Sequence, residues 1–517
     1  METFLYDRLM EKAPKINLWW AYPAIYSFAM SSLGYLDIFK MMDLDPELYV
    51  ERIYTDSKII EIPYKDVDAM GFSVSFELDI LSIIKMLKKY DFPLKSLNRG
   101  EDDPIIFAGG PVLMSNPVPF ENLFDFISIG EKVSLKKALD VLKNKREKSR
   151  DEILKELSNL EGIYVPKYPK KEVKIERDEI ENSPVHTPIL SEKSFFKDTF
   201  VLELERGCPK MCNFCLASWL NLPTRFVKYE KIIEAIDLGL KYTDKLALLG
   251  AYVAGHPDFD KIIDYISKKC EQNPIELSIS SLRADLADVE LIKTLVKCGQ
   301  KTATIALEAA SQRLRDYIKK DLTEAQILKT LDVAQKNGLK GMKIYAMLGL
   351  PTETDDDIEE FITLCQKIKK QIKENKTQFD ITISASTFIP KPHTPFENAI
   401  RHDKKILEKR INYLKKNLHK LGITFRASSV DWDDFQTILS NYDDDLVDFL
   451  EQVVLEGGTI GTFKQLWRKK NKNEKKEKHT EKTACFSLPL YNNKVLKCNF
   501  INTNSNSLKL NRQKELY

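Results

Sequence analysis

Three cysteines lie within one short segment, Cys208-Pro-Lys-Met-Cys212-Asn-Phe-Cys215. Thiolates in this compact spacing can wrap one face of a cubane, and a [4Fe–4S] cluster asks for four ligands. Only three are local, so one iron keeps an open position at which a small chelating molecule can bind. The competing reading is structural zinc, which needs four ligands, usually as two spaced pairs. No second Cys/His pair is visible nearby. Cys270, Cys298, Cys365, Cys485 and Cys498 are scattered, and the first three sit in helix patterns as small buried residues do. Spacing favours iron–sulfur over zinc or coincidence.

The elements around this segment are those of an α/β protein. The cysteines follow FVLELERG, an apolar run that reads as a strand. From 196 to 400 strand-like and helix-like segments alternate: KLALLGAY, IELSISSL, TATIALEA, LKGMKIYAML and DITISASTFIP are further strands. Six such units suggest a partial barrel whose site lies at the carboxyl ends of its strands. Residues 1–150 read as a separate unit, with strands at Ala69–Phe76, Ile105–Ala108 and Phe124–Ile129. Strand–helix–strand alternation there implies a parallel sheet. Residues 151–195 are a Pro-punctuated connector that can add an edge strand. Residues 401–468 read as a helical C-terminal region, and 469–517, rich first in Lys and then in Asn, as a disordered tail.

These motifs, in this order, resemble the radical SAM superfamily, and within it the subgroup with an N-terminal cobalamin-binding-like domain. The resemblance covers about residues 1–468 and carries several expectations. The fold would be a Rossmann-like parallel sheet domain, then a (β/α)6 TIM-type partial barrel, then a helical C-terminal region. Cys208, Cys212 and Cys215 would hold a [4Fe–4S] cluster whose open iron chelates S-adenosylmethionine (SAM). Reductive cleavage of SAM would yield a 5′-deoxyadenosyl radical that modifies a substrate, with methyl transfer the first guess. An electron donor such as a flavodoxin or ferredoxin is implied.

Phe214, before the third cysteine, would lie near the adenine. SLRAD (Ser281–Asp285), with Arg283, resembles the third-strand segment, and IALEAASQRLRDYIKK the fourth-strand motif. In the latter, Glu308 would bond the SAM ribose; a carboxylate suits a vicinal diol because it accepts both hydroxyl hydrogens. The structural alternative is a salt bridge to Arg313 or Arg315. KIYAMLGLPTETDDDI resembles the fifth-strand motif, where Gly349 and Pro351 would allow close backbone approach. FIPKPHTPFE resembles the sixth, and its His393 reads as structural in preference to acid–base. A Gly-Gly-Glu-Pro-like segment, which many members use to hold the SAM amino group, is replaced here by LLGAYVAGHPDF (Leu248–Phe259). Carbonyls around Gly250 and Ala251 would have to take over.

Cobalamin is the doubtful cofactor. Its usual lower ligand is a His in an Asp-x-His-x-x-Gly loop, and residues 1–185 contain no His. The N-terminal domain then either binds cobalamin without that ligand or keeps only the fold; the sequence favours the second. Gly130-Glu131-Lys132 also departs from the subgroup's Gly-Glu-Gly-Glu. A methylthiotransferase would carry a second cluster on three N-terminal cysteines, and none precedes Cys208. A noncatalytic or electron-transfer iron–sulfur protein on the same scaffold is the rival reading.

Bulk properties set the outer bounds. The chain has 517 residues, 79 Lys and Arg against 77 Asp and Glu, and a net charge of +2. That length exceeds one core and suggests roughly three domains. The charge gives no global pull toward nucleic acid or membrane. The basic tail lacks interleaved aromatics for base stacking, so it reads as solvated. Ile16–Leu36 is uncharged but contains Asn17, Pro23 and Gly34, and reads as a buried strand–loop–helix, not a membrane span. No signal peptide is read at the N-terminus. With eight Cys, this points to reduced thiols in the cytoplasm.

Overall fold

The computed structural model describes residues 2–478 except Ile59 and Lys171. Two parallel sheets organise it. The first comprises β1 (Ile16–Tyr22), β2 (Leu48–Tyr54), β3 (Ala69–Ser73), β4 (Ile105–Gly109), β5 (Phe126–Ser128) and β6 (Ile163–Tyr164), in the spatial order β2-β1-β3-β4-β5-β6. All neighbours are parallel except β6, an antiparallel edge strand. Its apolar runs are continuous because both faces are buried. Leu18, Trp20, Phe107 and Phe126 pack under the helices Leu33–Asp43, Lys132–Leu142 and Arg150–Ser158. Trp19, Met70, Phe72 and Ile106 face the other way, onto the helix Asp79–Lys89.

That second face is completed from the far end of the chain. Phe435, Leu439, Val447, Leu450, Phe463 and Leu466, on the helices Val430–Asn441, Val447–Leu455 and Ile460–Lys478, join the same core. The C-terminal region is therefore the missing cover of the first sheet, not an appendix. The helix Ile460–Lys478 also corrects the expected tail: residues 469–478 continue a helix, and the remainder of 469–517 lies outside the described residues.

The second sheet is the barrel. It runs β7 (Phe200–Glu203), β8 (Lys245–Leu249), β9 (Glu276–Ile279), β10 (Thr302–Glu308), β11 (Gly341–Leu348), β12 (Asp380–Thr387) and β13 (Thr424–Ala427). Neighbours pair in parallel within β9-β8-β7 and β10-β11-β12-β13, and the bridge Leu282–Ile305 joins the two groups. β13 is a seventh strand in a region read as purely helical. It spans only four residues and buries none of them fully, so it carries no alternation to read.

Alternation along the longer strands separates a packed outer wall from an inner one. Met342, Ile344 and Ala346 of β11 and Ile381, Ile383 and Ala385 of β12 enter the core under the helices. Lys343, Tyr345, Thr382, Ser384 and Ser386 lie on the opposite face, where Tyr345 remains 38% exposed. No helix of the described residues is long and apolar enough to cross a membrane.

Candidate functional site

β7 runs through Leu204 into Glu205–Arg206, which pairs antiparallel with Arg225–Phe226, and then turns at Gly207. Gly207 has φ +92, and a β-carbon there would stand 2.6 Å from the Asn221 carbonyl oxygen. Only glycine fits that turn without strain. The cysteine segment follows directly. All three thiols are free; Cys208 and Cys212 are 8% and 6% exposed, and Cys215 is half-buried.

The segment is tied down at several points. The Asn213 N–H donates to the Ile318 carbonyl at 3.0 Å, and its side-chain amide to Tyr317 at 2.9 Å. Trp219 Nε1 donates to the Cys212 carbonyl at 3.0 Å. The Phe396 N–H donates to the Asn213 carbonyl at 3.3 Å. Phe214 packs into an apolar cluster of Ala309, Leu314, Ile318, Leu350, Phe388 and Phe396, which lie beyond the ends of β10, β11 and β12.

Burial pushes the Cys212 thiol up to about 11, while Lys320 and Arg283 pull it down. Lys320, 7% exposed, pairs with Glu308 Oε1 at 3.1 Å. Arg283 bonds Asp285 at 2.9 Å and the carbonyl of Lys320 at 2.9 Å, so it braces the Lys320 backbone. Glu308 itself sits at φ +65, where β10 shifts register against β11. Neither salt bridge of the structural alternative, to Arg313 or Arg315, forms. Arg313 goes to Asp357 and Thr352, and Arg315 to the carbonyls of Ala309, Ala310 and Leu322.

Other motif residues have partners of their own. Gly349 (φ +74) is approached by Leu407, which a β-carbon would meet at 2.5 Å, and its N–H donates to Glu353 at 2.8 Å. His393 is held by the first domain: its Nε2 lies 2.8 Å from the Ser115 carbonyl. Lys391 pairs with Glu77, also in the first domain. The sixth-strand motif thus ties the two sheets together. Gly250 and Ala251 form the turn after β8, wrapped around a residue that the sequence reading missed, Glu205. The available signal was an acid inside an apolar strand run, shortly before the first cysteine.

Among the described residues no three Cys, His, Asp or Glu side chains converge closely enough to hold a single metal ion. A cubane does not require that convergence, because each thiolate ligates a different iron. Three free thiols in one pinned loop, with basic side chains acting on Cys212, fit such a cluster.

The comparisons agree with this arrangement. Residues 202–365 match the family described as the radical SAM superfamily, and residues 41–166 the one described as radical SAM proteins, N-terminal. The uncharacterized protein MJ0966 of Methanocaldococcus jannaschii is 33% identical over 392 residues, 75% of this chain and 80% of that protein. The uncharacterized methyltransferase PH0819 of Pyrococcus horikoshii is 27% identical over 179 residues, 32% of this chain and 37% of that protein. Among solved structures, the cobalamin-dependent SAM radical enzyme OxsB, with aqua-cobalamin and SAM bound, superposes with a TM-score of 0.52 at 15% identity. That match covers 91% of this chain and 82% of OxsB, and is a likeness of fold. The chain belongs to the radical SAM superfamily of enzymes.

Proposed function

We propose that Cys208, Cys212 and Cys215 hold a [4Fe–4S] cluster, that SAM binds beside it at the strand ends of the barrel, and that the chain modifies a substrate held against the inner wall. The carrying observation is the pinned loop of three free thiols at the end of β7, with Lys320 and Arg283 acting on Cys212. When bound and reduced by a donor such as a flavodoxin or ferredoxin, the cluster supplies the electron that cleaves SAM to a 5′-deoxyadenosyl radical.

The chain's own residues do the rest. Phe214 offers a ring edge on an apolar floor for the adenine. Glu308 offers a carboxylate for the ribose hydroxyls, poised by Lys320. Gly250 and Ala251 lend backbone groups at the end of β8. Lys320 and Arg283 lower the cost of gathering thiolates in a buried loop. Methyl transfer is the first guess for the reaction on substrate, supported by the name of the Pyrococcus relative.

The N-terminal domain keeps the fold of a cobalamin-binding unit without the His ligand. We read it as a scaffold.

The test is anaerobic reconstitution with iron and sulfide, reduction with dithionite, and chromatography for 5′-deoxyadenosine after SAM is added. The expected product disappears in Cys212→Ala, together with the iron. A full cluster that binds no SAM and yields no 5′-deoxyadenosine overturns the reading in favour of a noncatalytic or electron-transfer iron–sulfur protein.

A further inference from the structure

Glu205 is a buried acid with no assigned work. It lies at the end of the first barrel strand, three residues before Cys208, and is 1% exposed. Oε1 accepts the Tyr252 N–H, and the Ala251 N–H also serves the carboxyl group. Oε2 has no hydrogen-bond partner among the described residues. An unmet buried oxygen forfeits its solvation, and a buried charge forfeits far more. The neighbouring cation does not help, because Arg206 turns to Glu203 and Glu131. Burial accordingly pushes Glu205 up to about 8.

The backbone is nevertheless shaped around this group. A β-carbon at Gly250 would stand 2.0 Å from Oε2 and 2.2 Å from both Cδ and Oε1. Gly250 is therefore obligatory for as long as Glu205 occupies the turn, and the carboxyl engages the next two N–H groups. Between Leu248 and Pro257 the turn has no acidic side chain of its own. A cation arriving there would find in Glu205 an oxygen, Oε2, that lacks what an ammonium group has in excess, an N–H and a positive charge.

We propose that Glu205 is a positioning residue for SAM: it seats the Gly250–Tyr252 turn and supplies the carboxyl partner for the amino group of the SAM bound there. This rests on the reading that SAM binds at the barrel's strand ends. It assigns to the first strand a task for which the loop after the second strand has no acid.

Equilibrium dialysis on the reconstituted full chain tests it with two ligands, SAM and 5′-methylthioadenosine, which keeps the nucleoside and sulfur but lacks the amino acid. E205Q preserves the shape and an acceptor for the turn while removing the carboxyl group. It is expected to weaken SAM on the order of tenfold, leave 5′-methylthioadenosine within about twofold, and retain full iron content. Deaminated SAM, with a keto group in place of the amine, gives a second measurement on the unaltered protein. It should bind the wild type on the order of tenfold more weakly than SAM and show no further loss in E205Q. SAM binding unchanged in E205Q, or both ligands weakened in parallel, overturns the proposal and leaves Glu205 a structural group. So does wild-type affinity for deaminated SAM equal to that for SAM. A wild type that holds its cluster yet binds neither SAM nor 5′-methylthioadenosine removes the underlying reading, and the proposal falls with it.

Discussion

The two parallel sheets obey one folding rule and end in opposite states. The first is covered on both faces by helices, the last three of them from the far end of the chain. Even its acidic loop residue is committed. Glu131 accepts a bidentate pair from Arg225 at 2.6 and 3.0 Å and a further bond from Arg206 at 2.7 Å, which locks the first sheet to the barrel. The barrel sheet is packed on one face alone. Its other face leaves Ser278, Ser280, Ser386 and Tyr345 exposed. A strand end can become a site where the fold leaves a wall uncovered, and it stays scaffold where helices cover both faces.

Several experiments break or sharpen that contrast. The largest stability effect is expected at the lock. Burial opposes charge on Glu131, yet Arg225 and Arg206 hold its carboxyl at about 2, below the ordinary 4.5. A depressed folded-state pKa means stability that is present above about pH 4.5 and is lost as the pH falls toward about 2. Glu131→Gln should cost about 3–5 kcal/mol near neutrality, since it strands buried guanidinium groups. It should also flatten the acid limb of a stability–pH curve from denaturant melts. An unchanged acid limb would remove the lock from the account.

Gly71→Ala acts inside the sealed sheet, where the new methyl would meet the Phe107 ring at 2.3 Å. The expected cost is about 1–3 kcal/mol of unfolding free energy. SAM affinity should not move, because the strain stays within the scaffold; a parallel loss of SAM binding would couple the two sheets. Hydroxocobalamin, followed by its visible spectrum through gel filtration, should separate from the protein. Stoichiometric co-elution would reopen the first sheet as a cofactor site. The smallest effect belongs to the open wall. Tyr345→Ala should change stability by no more than about 0.5 kcal/mol and leave SAM binding intact, as expected of an exposed side chain. A large drop in melting temperature would mean that the inner wall is packed after all.

Much of the fold was legible because its signals are local. Apolar runs mark β3, β4 and β10 to β12, and the helix Lys404–Lys420 shows its period over many residues. The cysteine segment was legible for the same reason, since three thiols in one turn need no distant partner to be noticed. Glu308 was found through its motif, but its partner was not: Lys320 was passed over for Arg313 and Arg315. β13 was missed because four residues buried on neither face leave no pattern.

By itself, then, the sequence determined the α/β class, the two-sheet plan and the compact run of three cysteines, all set by spacing within a single element. Tertiary structure alone decided the rest. The last helices join the helix Asp79–Lys89 in closing the first sheet because a parallel sheet must bury both faces. Glu131 and His393 became ties between domains, and Glu205 came to sit beneath Gly250, through partners dozens to hundreds of residues away. A buried polar group has to find its partner wherever the packed chain presents one, and that place has no counterpart in local periodicity.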